Sequence, residues 1–367
     1  MPPDPVFGEL SPGERFWYNH RDWLKDCGYL LRPRFQEGWT PNPSIERVEA
    51  RKREEYQTWG NPVVMDATVI ADGSCVMMKR IILEASRLSQ ELDIATWFSA
   101  EPQRSDAANH CVPILRVLAD PKEPEWAIVV MPLLRKYGKP RFDTIGEAID
   151  FFRQIFQGVQ FMHKHNIAHR DCTSLNIMMD GTSLYREPFH PIKQDRKRDF
   201  SGKVRPSLTR TQHPVKYYLT DFGLSRRYKP EERPPLERTA RGGDKSAPEM
   251  VLRACDPFPT DVYYLGNLIK TEFLEGDKWT SQKLGFEFMR PLVTEMTQHD
   301  PSNRPTMDEV VQRFDDLVHS LSSWKLRSRV VKRADSSLFG FYYGITHWLR
   351  RISFIFRGVP PIPVPSQ

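Results

Sequence analysis

The sequence feature that most constrains this chain is a series of short motifs between residues 169 and 304. Any one of these motifs alone would be weak evidence for a particular fold. Several motifs in one order, behind a lysine at the end of a β-prone run, restrict the fold far more strongly. The motifs are, in order, His169-Arg170-Asp171 with Asn176, Asp221-Phe222-Gly223, Ala247-Pro248-Glu249, Asp261 in DVYYLG, and Arg304 in DPSNRP.

The composition allows a folded core and excludes several classes of protein. Hydrophobic residues make up 39% of the 367 residues and charged residues 27%, which excludes wholesale disorder. The net charge of +6, from 53 basic and 47 acidic residues, is too small an excess to indicate a nucleic acid partner. The five cysteines are widely spaced and form no CxxC pair, so we expect neither a disulfide framework nor a structural zinc site.

The sequence also bears on the cellular location. The stretch MPPDPVFGELSPGERF has neither the basic start nor the apolar stretch of a signal peptide. The sequence contains no run of about 18 uncharged apolar residues, so we expect no buried membrane-spanning helix. We therefore expect a protein of the cytoplasm or nucleus, which are reducing compartments.

The hydrophobic pattern changes from strand-like to helix-like near residue 133. Two β-prone runs, 63–70 and 75–82, are joined by a loop containing Asp72-Gly73, a hairpin signal. Capping boxes at Thr144/Glu147 and Thr306/Glu309 predict the starts of two later helices. The other predicted elements are a helix over 11–28 with a capping box at Ser11/Glu14, a strand over 29–35, a helix over 85–98 and a buried strand over 127–134.

Strands followed by helices predict an α+β protein with two lobes, a small β-rich N-lobe and a larger, mainly helical C-lobe. Residues 181–216 form a basic insertion, which is either a docking surface for an acidic partner or a phosphopeptide, or a solvated flexible loop. For the aromatic segment 338–356 we expect packing on the helical lobe, with an interfacial membrane helix as the alternative. The predicted divisions are a helical extension (1–28), the N-lobe (29–131), the C-lobe (132–335) with the basic insertion (181–216), and an aromatic and proline-rich tail (336–367).

Taken together, the ordered motifs resemble those of the eukaryotic protein kinases, over about residues 29–323. Stretches such as NIMMD and VKYYLTDFG further resemble a large fungal group of kinase-domain proteins. The resemblance implies a protein-kinase-like fold. It also implies transfer of the γ-phosphoryl group of ATP to a protein hydroxyl, with serine or threonine favoured over tyrosine. ATP and Mg²⁺ are the implied cofactors, and we expect a monomer.

The resemblance assigns roles to the charged residues. Asp171 would accept the proton of the substrate hydroxyl. Asn176 and Asp221 would supply the oxygen ligands that Mg²⁺ prefers. Lys79, at the end of VMMK, would hold the α- and β-phosphates and form an ion pair with Glu91 on the next helix.

The same resemblance places a nucleotide site. Met131 matches the gatekeeper position, and the N–H of Leu134 would bind the adenine base. Val64, Met77 and Met178 would enclose the adenine. The alternative for these residues is that they are simply part of the core. Glu84 is the alternative to Glu91 as the acid that pairs with Lys79.

Three further residues match structural roles in the family. Glu249 and Arg304 resemble a buried ion pair that anchors the activation segment, and Asp261 resembles the acid that braces the catalytic loop. These residues argue against a small-molecule phosphotransferase, because such enzymes lack this peptide-docking apparatus.

Four departures from the family pattern favour a pseudokinase that acts as a binding scaffold as the alternative. No GxGxxG precedes Val64, and QTWGNPVV contains a single glycine. Met77 stands where the family has alanine, and Thr173 stands where serine/threonine kinases have lysine. Gly242-Gly243 replaces the family's threonine before Ala247-Pro248-Glu249.

Overall fold

The computed structural model describes residues 8–42, 44–83, 90–232, 234–239, 242–278, 280–335 and 337–364. The chain forms two compact units. The first comprises Met1–Ala85, Pro113–Leu134 and Tyr185–Ser207, and the second comprises Ser86–Val112, Arg135–Leu184 and Leu208–Gln367. The larger sheet lies in the first unit and the long helices in the second, so the predicted α+β fold is confirmed. The predicted domain boundaries stay predictions.

The first unit contains a five-stranded antiparallel sheet with the strand order β1-β2-β3-β5-β4. The predicted hairpin between β2 and β3 is confirmed. Its turn contains Gly73 with a φ of +71°, a left-handed conformation that glycine adopts without steric cost. The strands are β1 (Tyr29–Leu30), β2 (Val64–Val69), β3 (Cys75–Ile82), β4 (Arg116–Ala119) and β5 (Trp126–Pro132).

One face of this sheet is covered by the N-terminal helices α1 (Pro12–Asn19) and α2 (Arg21–Asp26). The capping box of Ser11 and Glu14 is confirmed, but the predicted single helix over 11–28 is wrong. The helix is interrupted at His20, whose ring nitrogens bond to the Phe16 carbonyl and to the buried Asp120 carboxylate. The core on this face includes Trp17, Leu24, Phe35, Met65, Met78, Ile128 and Val130.

The segment between β1 and β2 is irregular and contains a short helix α3 (Arg47–Ala50). The predicted strand over 29–35 ends at Leu30, and Pro33–Phe35 form a 3₁₀ turn. Proline lacks the N–H that a sheet requires, and the buried Arg34 guanidinium bonds to the Glu14 carboxylate. This local break is why the strand is shorter than predicted.

The second unit is mainly helical. Its helices are α4 (Glu91–Ser99), α5 (Ile145–Lys164), α6 (Pro257–Ile269), α7 (Arg290–Met296), α8 (Met307–His319), α9 (Ser323–Leu326) and α10 (Ser337–Phe356). Its strands are β6 (Arg135–Lys136), β7 (Ile167–Ala168), β8 (Ile177–Met179), β9 (Tyr217–Leu219), β10 (Arg226–Arg227), β11 (Glu237–Arg238), β12 (Ala254–Cys255), β13 (Lys283–Leu284) and β14 (Val331–Lys332). Strands β6, β8 and β9 form a three-stranded sheet, and the others pair as β7 with β10, β11 with β12, and β13 with β14.

Helix α5 is the central helix of this unit, and aromatic rings surround it. Thr144 caps its start, but the capping box is incomplete because the Glu147 carboxylate binds the N–H groups of Asp143 and Thr211 instead. The capping box of Thr306 and Glu309 on α8 is confirmed. The aromatic cluster contains Phe151, Phe152, Phe156, Phe273, Phe286 and Phe314.

The C-terminal helix α10 packs on the second unit, as expected. Arg350 forms an ion pair of 2.7 Å with Asp143, and Arg351 donates to the carbonyl of Trp324. The Arg351 guanidinium also lies 3.4 Å from the centre of the Trp324 ring. In the described ranges, no helix combines the length and the apolar character needed to cross a bilayer.

Candidate active site

The catalytic loop of the second unit is held by one buried carboxylate. Asp261, on α6, accepts hydrogen bonds of 2.7 Å from the backbone N–H groups of His169 and Arg170. It also receives a 3.0 Å bond from the ring of His163. A buried charge needs such partners, and here the partners are the loop backbone itself. The predicted bracing role of Asp261 is confirmed.

Asp171 follows directly and has both carboxylate oxygens engaged. The Asn176 amide donates to Oδ2 and to the backbone oxygen of Asp171, each at 2.9 Å. The backbone N–H of Gly243 donates to Oδ1, also at 2.9 Å. The loop between residues 171 and 176 therefore turns back on itself and orients the carboxylate.

The surroundings of Asp171 change its proton affinity. Burial raises the pKa of this carboxyl group above its ordinary value, and the negative charge of Asp221 acts in the same direction. The hydrogen bonds from Gly243 and Asn176 oppose this increase. His169, the fully buried first residue of the loop, has its pKa lowered by burial, against the opposing charges of Asp261, Asp171 and Asp221.

The two predicted metal ligands lie on neighbouring strand ends. Ile177 of β8 pairs with Leu219 of β9, and the N–H of Thr220 donates to the backbone oxygen of Asn176 at 2.8 Å. Asp221 follows immediately, with a left-handed backbone at φ 63° and ψ 77°. Strand pairing thus brings Asn176 and Asp221 together.

Phe222 and Gly223 connect this loop to helix α4. The Phe222 ring is buried, with its centre 6.0 Å from that of Phe98 and 5.6 Å from that of His169. A Cβ placed on Gly223 would lie 3.4 Å from Oε2 of Glu91, the first residue of α4. The structure therefore brings Glu91 to the Asp221-Phe222-Gly223 motif.

Lys79 belongs to the first unit and Glu91 to the second, so their predicted ion pair stays a prediction. Glu84, the rival partner, lies outside the described residues. Within the first unit, Val64 pairs with Lys79 across β2 and β3, and Met77 pairs with Met131 across β3 and β5.

These four residues of the first unit, Val64, Met77, Lys79 and Met131, therefore lie on one face of the sheet, opposite to α1 and α2. We call this face the ligand face. Leu134 follows β5 and is buried. Met178 lies on β8 in the second unit, so its place in the same nucleotide site stays a prediction.

The predicted ion pair of Glu249 and Arg304 is confirmed. Two guanidinium nitrogens approach the two carboxylate oxygens at 2.7 and 2.8 Å, and both side chains are almost completely buried. Burial alone would raise the pKa of Glu249, but hydrogen bonds from Arg304 and Thr260 outweigh it and lower the pKa. The pair fixes the segment that precedes α6.

Sequence reasoning missed the part that Gly242 and Gly243 play. The sequence pattern indicates only that a threonine is absent there, yet the Gly243 N–H binds Asp171. A Cβ on Gly242 would lie only 2.6 Å from Oδ1 of Asp171, so this close approach requires glycine. The sequence signal was the glycine pair itself, a few residues before Ala247-Pro248-Glu249.

Comparison with known proteins agrees with this arrangement. The family model described as "Protein kinase domain" matches residues 63–330. Myosin light chain kinase 3 of Homo sapiens and that of Rattus norvegicus are each 30% identical to this chain over 120 residues, 33% of this chain. A protein of Trypanosoma brucei brucei named as a serine/threonine-protein kinase A is 24% identical over 173 residues, 44% of this chain. The matches span 11% of the myosin light chain kinases and 38% of the trypanosome protein.

Proposed function

Because the chain belongs to the protein kinase family, we propose that it transfers the γ-phosphoryl group of ATP to a hydroxyl group of a protein substrate. Serine and threonine are favoured over tyrosine as acceptors, in line with the name of the trypanosome relative. The observation that carries the proposal is the carboxylate of Asp171, held by Asn176 and Gly243 next to the strand ends that bear Asp221.

The donor set suits Mg²⁺ bound together with a nucleotide. Among the described residues, no group of three or more His, Cys, Asp or Glu side chains could hold a metal ion alone. Mg²⁺ bound to nucleotides is typically held by one or two protein oxygens, with phosphate and water completing the shell. The side-chain oxygens of Asn176 and Asp221 fit that requirement. The bound ion would neutralise negative charge on the phosphates.

Residues of this chain would orient the substrate hydroxyl, take its proton and hold the phosphates. Asp171 would accept a hydrogen bond from the attacking hydroxyl, orient it, and take its proton. The carboxylate's own hydrogen bonds keep it in one rotamer, which favours a productive attack geometry. Lys79 would hold the α- and β-phosphates, with Glu91 orienting its amine. His169 supports the loop by accepting a hydrogen bond from the backbone N–H of Asp171 at 3.3 Å.

The test compares the wild type with Asp171→Asn, using transfer of labelled phosphate from ATP at millimolar concentration to the chain itself and to generic peptides. Loss of a positioned base lowers rates by roughly 10²–10⁴-fold. We expect that loss while the protein stays folded, with at most a small fall in melting temperature, because asparagine keeps one of the two acceptor oxygens that Asn176 and Gly243 bind. Asp316→Asn, an exposed change on α8, should leave the rate unchanged. Residual transfer above a tenth of the wild-type rate would remove Asp171 from this role.

A binding scaffold without catalysis is the second candidate, favoured by the region between β1 and β2. Instead of a glycine-rich loop, this region carries Arg32 and Trp59, whose side chains bind the buried carboxylate of Asp66 on the ligand face. A thermal-shift titration with Mg²⁺ and ATP separates the candidates. Nucleotide-dependent stabilisation without phosphate transfer by the wild type would favour the scaffold.

A further inference from the structure

The basic insertion contributes a folded segment to the first unit. Residues 185–207, which we call the cover segment, belong to that unit together with the five-stranded sheet. Three of its polar side chains, His190, Gln194 and Arg198, form bonds with the rest of the unit. The prediction of a solvated loop is wrong for this segment, because it packs against the sheet.

The cover segment packs on the ligand face through apolar side chains. Phe189 and Val204 form a buried cluster with Leu133, at 5%, 9% and 8% exposure respectively. Cys75 and Met77, both on β3, pack against this cluster together with Tyr185.

The register of the sheet shows which face is involved. Asp66 pairs with Met77 and Thr68 pairs with Cys75, so these residues share the face that carries Val64 and Lys79. The cover segment therefore lies at the end of the ligand face next to residues 132–134.

Arginine and glutamine side chains of the cover segment form hydrogen bonds with this end of the sheet. Arg198 donates to the Gly73 carbonyl at 2.6 Å and to Oγ1 of Thr68 at 2.5 Å, both at the β2–β3 end of the sheet. The Gln194 amide donates to the carbonyl oxygen of Leu134 at 2.9 Å. The N–H of Leu134 is proposed to bind adenine, so Gln194 places the segment at the same residue, on its carbonyl oxygen.

The ring of His190, whose side chain is 1% exposed, is the third group that holds the segment by hydrogen bonds. Its Nδ1 accepts hydrogen bonds from the N–H groups of Ile192 and Lys193, so Nε2 carries the proton and donates to Glu54 at 3.3 Å. Glu54 in turn binds Arg32, which reaches Asp66 on the ligand face. This network joins the cover segment to the irregular region between β1 and β2.

We propose that residues 185–207 act as an internal competitor of the nucleotide, covering the part of the ligand face where adenine would bind. The proposal rests on the proposed function, since it assumes that Met77 and Leu134 contact the base. The side chains of Phe189, Val204 and Tyr185 supply the apolar contact to Met77 that adenine would otherwise make. The Gln194 amide binds the carbonyl oxygen of Leu134, the residue whose N–H adenine would use.

Competition of this kind has a quantitative consequence. If only a fraction of molecules has the cover segment displaced, the apparent dissociation constant of ATP rises by the inverse of that fraction. Weakening the hydrogen bonds that hold the cover segment increases the fraction of molecules in which it is displaced. Removing the Arg198 and Gln194 bonds, each of ordinary strength, should tighten ATP binding by about tenfold.

The experiment measures ATP affinity and segment docking separately in Gln194→Ala, Arg198→Ala and the double variant. The dissociation constant of ATP with Mg²⁺ is measured by calorimetry on the full chain. Docking is measured by the alkylation rate of Cys75, followed by mass spectrometry of its peptide. Burial among these residues raises the pKa of the Cys75 thiol, and the nearby charge of Arg198 lowers it. A displaced segment should make the thiol more reactive, and Gln194→Ala, which keeps Arg198, separates displacement from the loss of that charge.

Lys203→Ala is the matched control, because it removes one positive charge from an exposed position of the same segment. We expect faster Cys75 alkylation and about tenfold tighter ATP binding in the double variant. The single variants should show smaller changes of both quantities, and Lys203→Ala should show neither. The single variants provide the same test if the double variant does not fold.

Three results would overturn the proposal. Unchanged Cys75 alkylation would show that these bonds do not hold the segment. Faster alkylation with an unchanged ATP dissociation constant would remove the competition but leave nucleotide binding, and so the proposed function, intact. Faster alkylation with no ATP binding by wild type or variants at several millimolar would overturn both the competition and the use of ATP.

Discussion

The catalytic loop of the second unit and the ligand face of the first unit are built in different ways. Around Asp171, short contacts with backbone N–H groups and an asparagine amide determine the geometry. On the ligand face, long side chains and apolar residues from a distant segment fill the surface. One region is specified by hydrogen-bond geometry and the other by packing.

This difference explains where the family pattern is retained. Hydrogen bonds to a buried carboxylate are strongly directional, so Asp171, Asn176 and Asp261 have few tolerable replacements. An apolar face tolerates changes of side chain when the volume can be filled again. Met77 and the missing glycines belong to the first unit, where such changes are tolerated. In the second unit, the segment that lacks the family's threonine places the N–H of Gly243 on Asp171.

The largest effect is expected where the second unit depends most on buried charge. Arg304→Ala leaves the Glu249 carboxylate buried without its bidentate partner, which should lower the free energy of unfolding by about 3–5 kcal/mol. Urea denaturation measures the change. Arg313→Ala, which removes a half-exposed ion pair with Glu295, should cost no more than about 1 kcal/mol. Similar losses for both variants would contradict the special role of the buried pair.

A second prediction concerns Asp150, a buried acid on α5 outside the catalytic loop. Burial raises its pKa to about 7, although the Gln154 hydrogen bond and the charge of Arg153 oppose the shift. The folded state therefore holds this proton more tightly than the unfolded state does. The associated stability is fully present below about pH 4 and is lost as the pH rises through about 7.

Asp150→Asn should remove this pH dependence, because asparagine can still accept the Gln154 bond. At pH 8 we expect the variant to be more stable than the wild type by about 2–4 kcal/mol, with a much smaller difference at pH 5. Thermal unfolding of both proteins between pH 5 and 8 measures the effect. A stability difference that does not change with pH would show that Asp150 is not the titrating group.

The smallest predicted effect tests whether the glycine pair Gly242-Gly243 helps to orient Asp171. In Gly242→Ala, the new Cβ would approach Oδ1 of Asp171 to 2.6 Å and displace the Gly243 N–H. Loss of one hydrogen bond to a charged group should lower kcat by about ten- to a hundredfold. Because that bond lowers the pKa of Asp171, the acidic limb of the kcat profile should also move to higher pH.

Gly138→Ala serves as the control, since a Cβ there meets nothing within 4 Å. Steady-state rates measured across pH for both variants and the wild type test the predicted changes of kcat and of its pH profile. If Gly242→Ala keeps the wild-type kcat and pH profile, the Gly243 N–H has no part in orienting Asp171.

Local features of the fold were predictable because their bonds join residues close together in the chain. The capping boxes of Ser11/Glu14 and Thr306/Glu309 span three residues each. The hairpin turn at Gly73 depends on one residue with a positive φ. The bond between His20 and Asp120 was not predictable, because the two residues lie 100 positions apart in the chain.

The sequence by itself determined the kinase class of the fold and the candidate charges, because motif order and residue type reveal both without knowledge of distant contacts. Tertiary structure alone decided what surrounds those charges. The Gly243 N–H reaches Asp171 across 72 residues, and Arg198 reaches Thr68 across 130. Neither bond has a local signature, since each depends on where the folded chain places two remote segments.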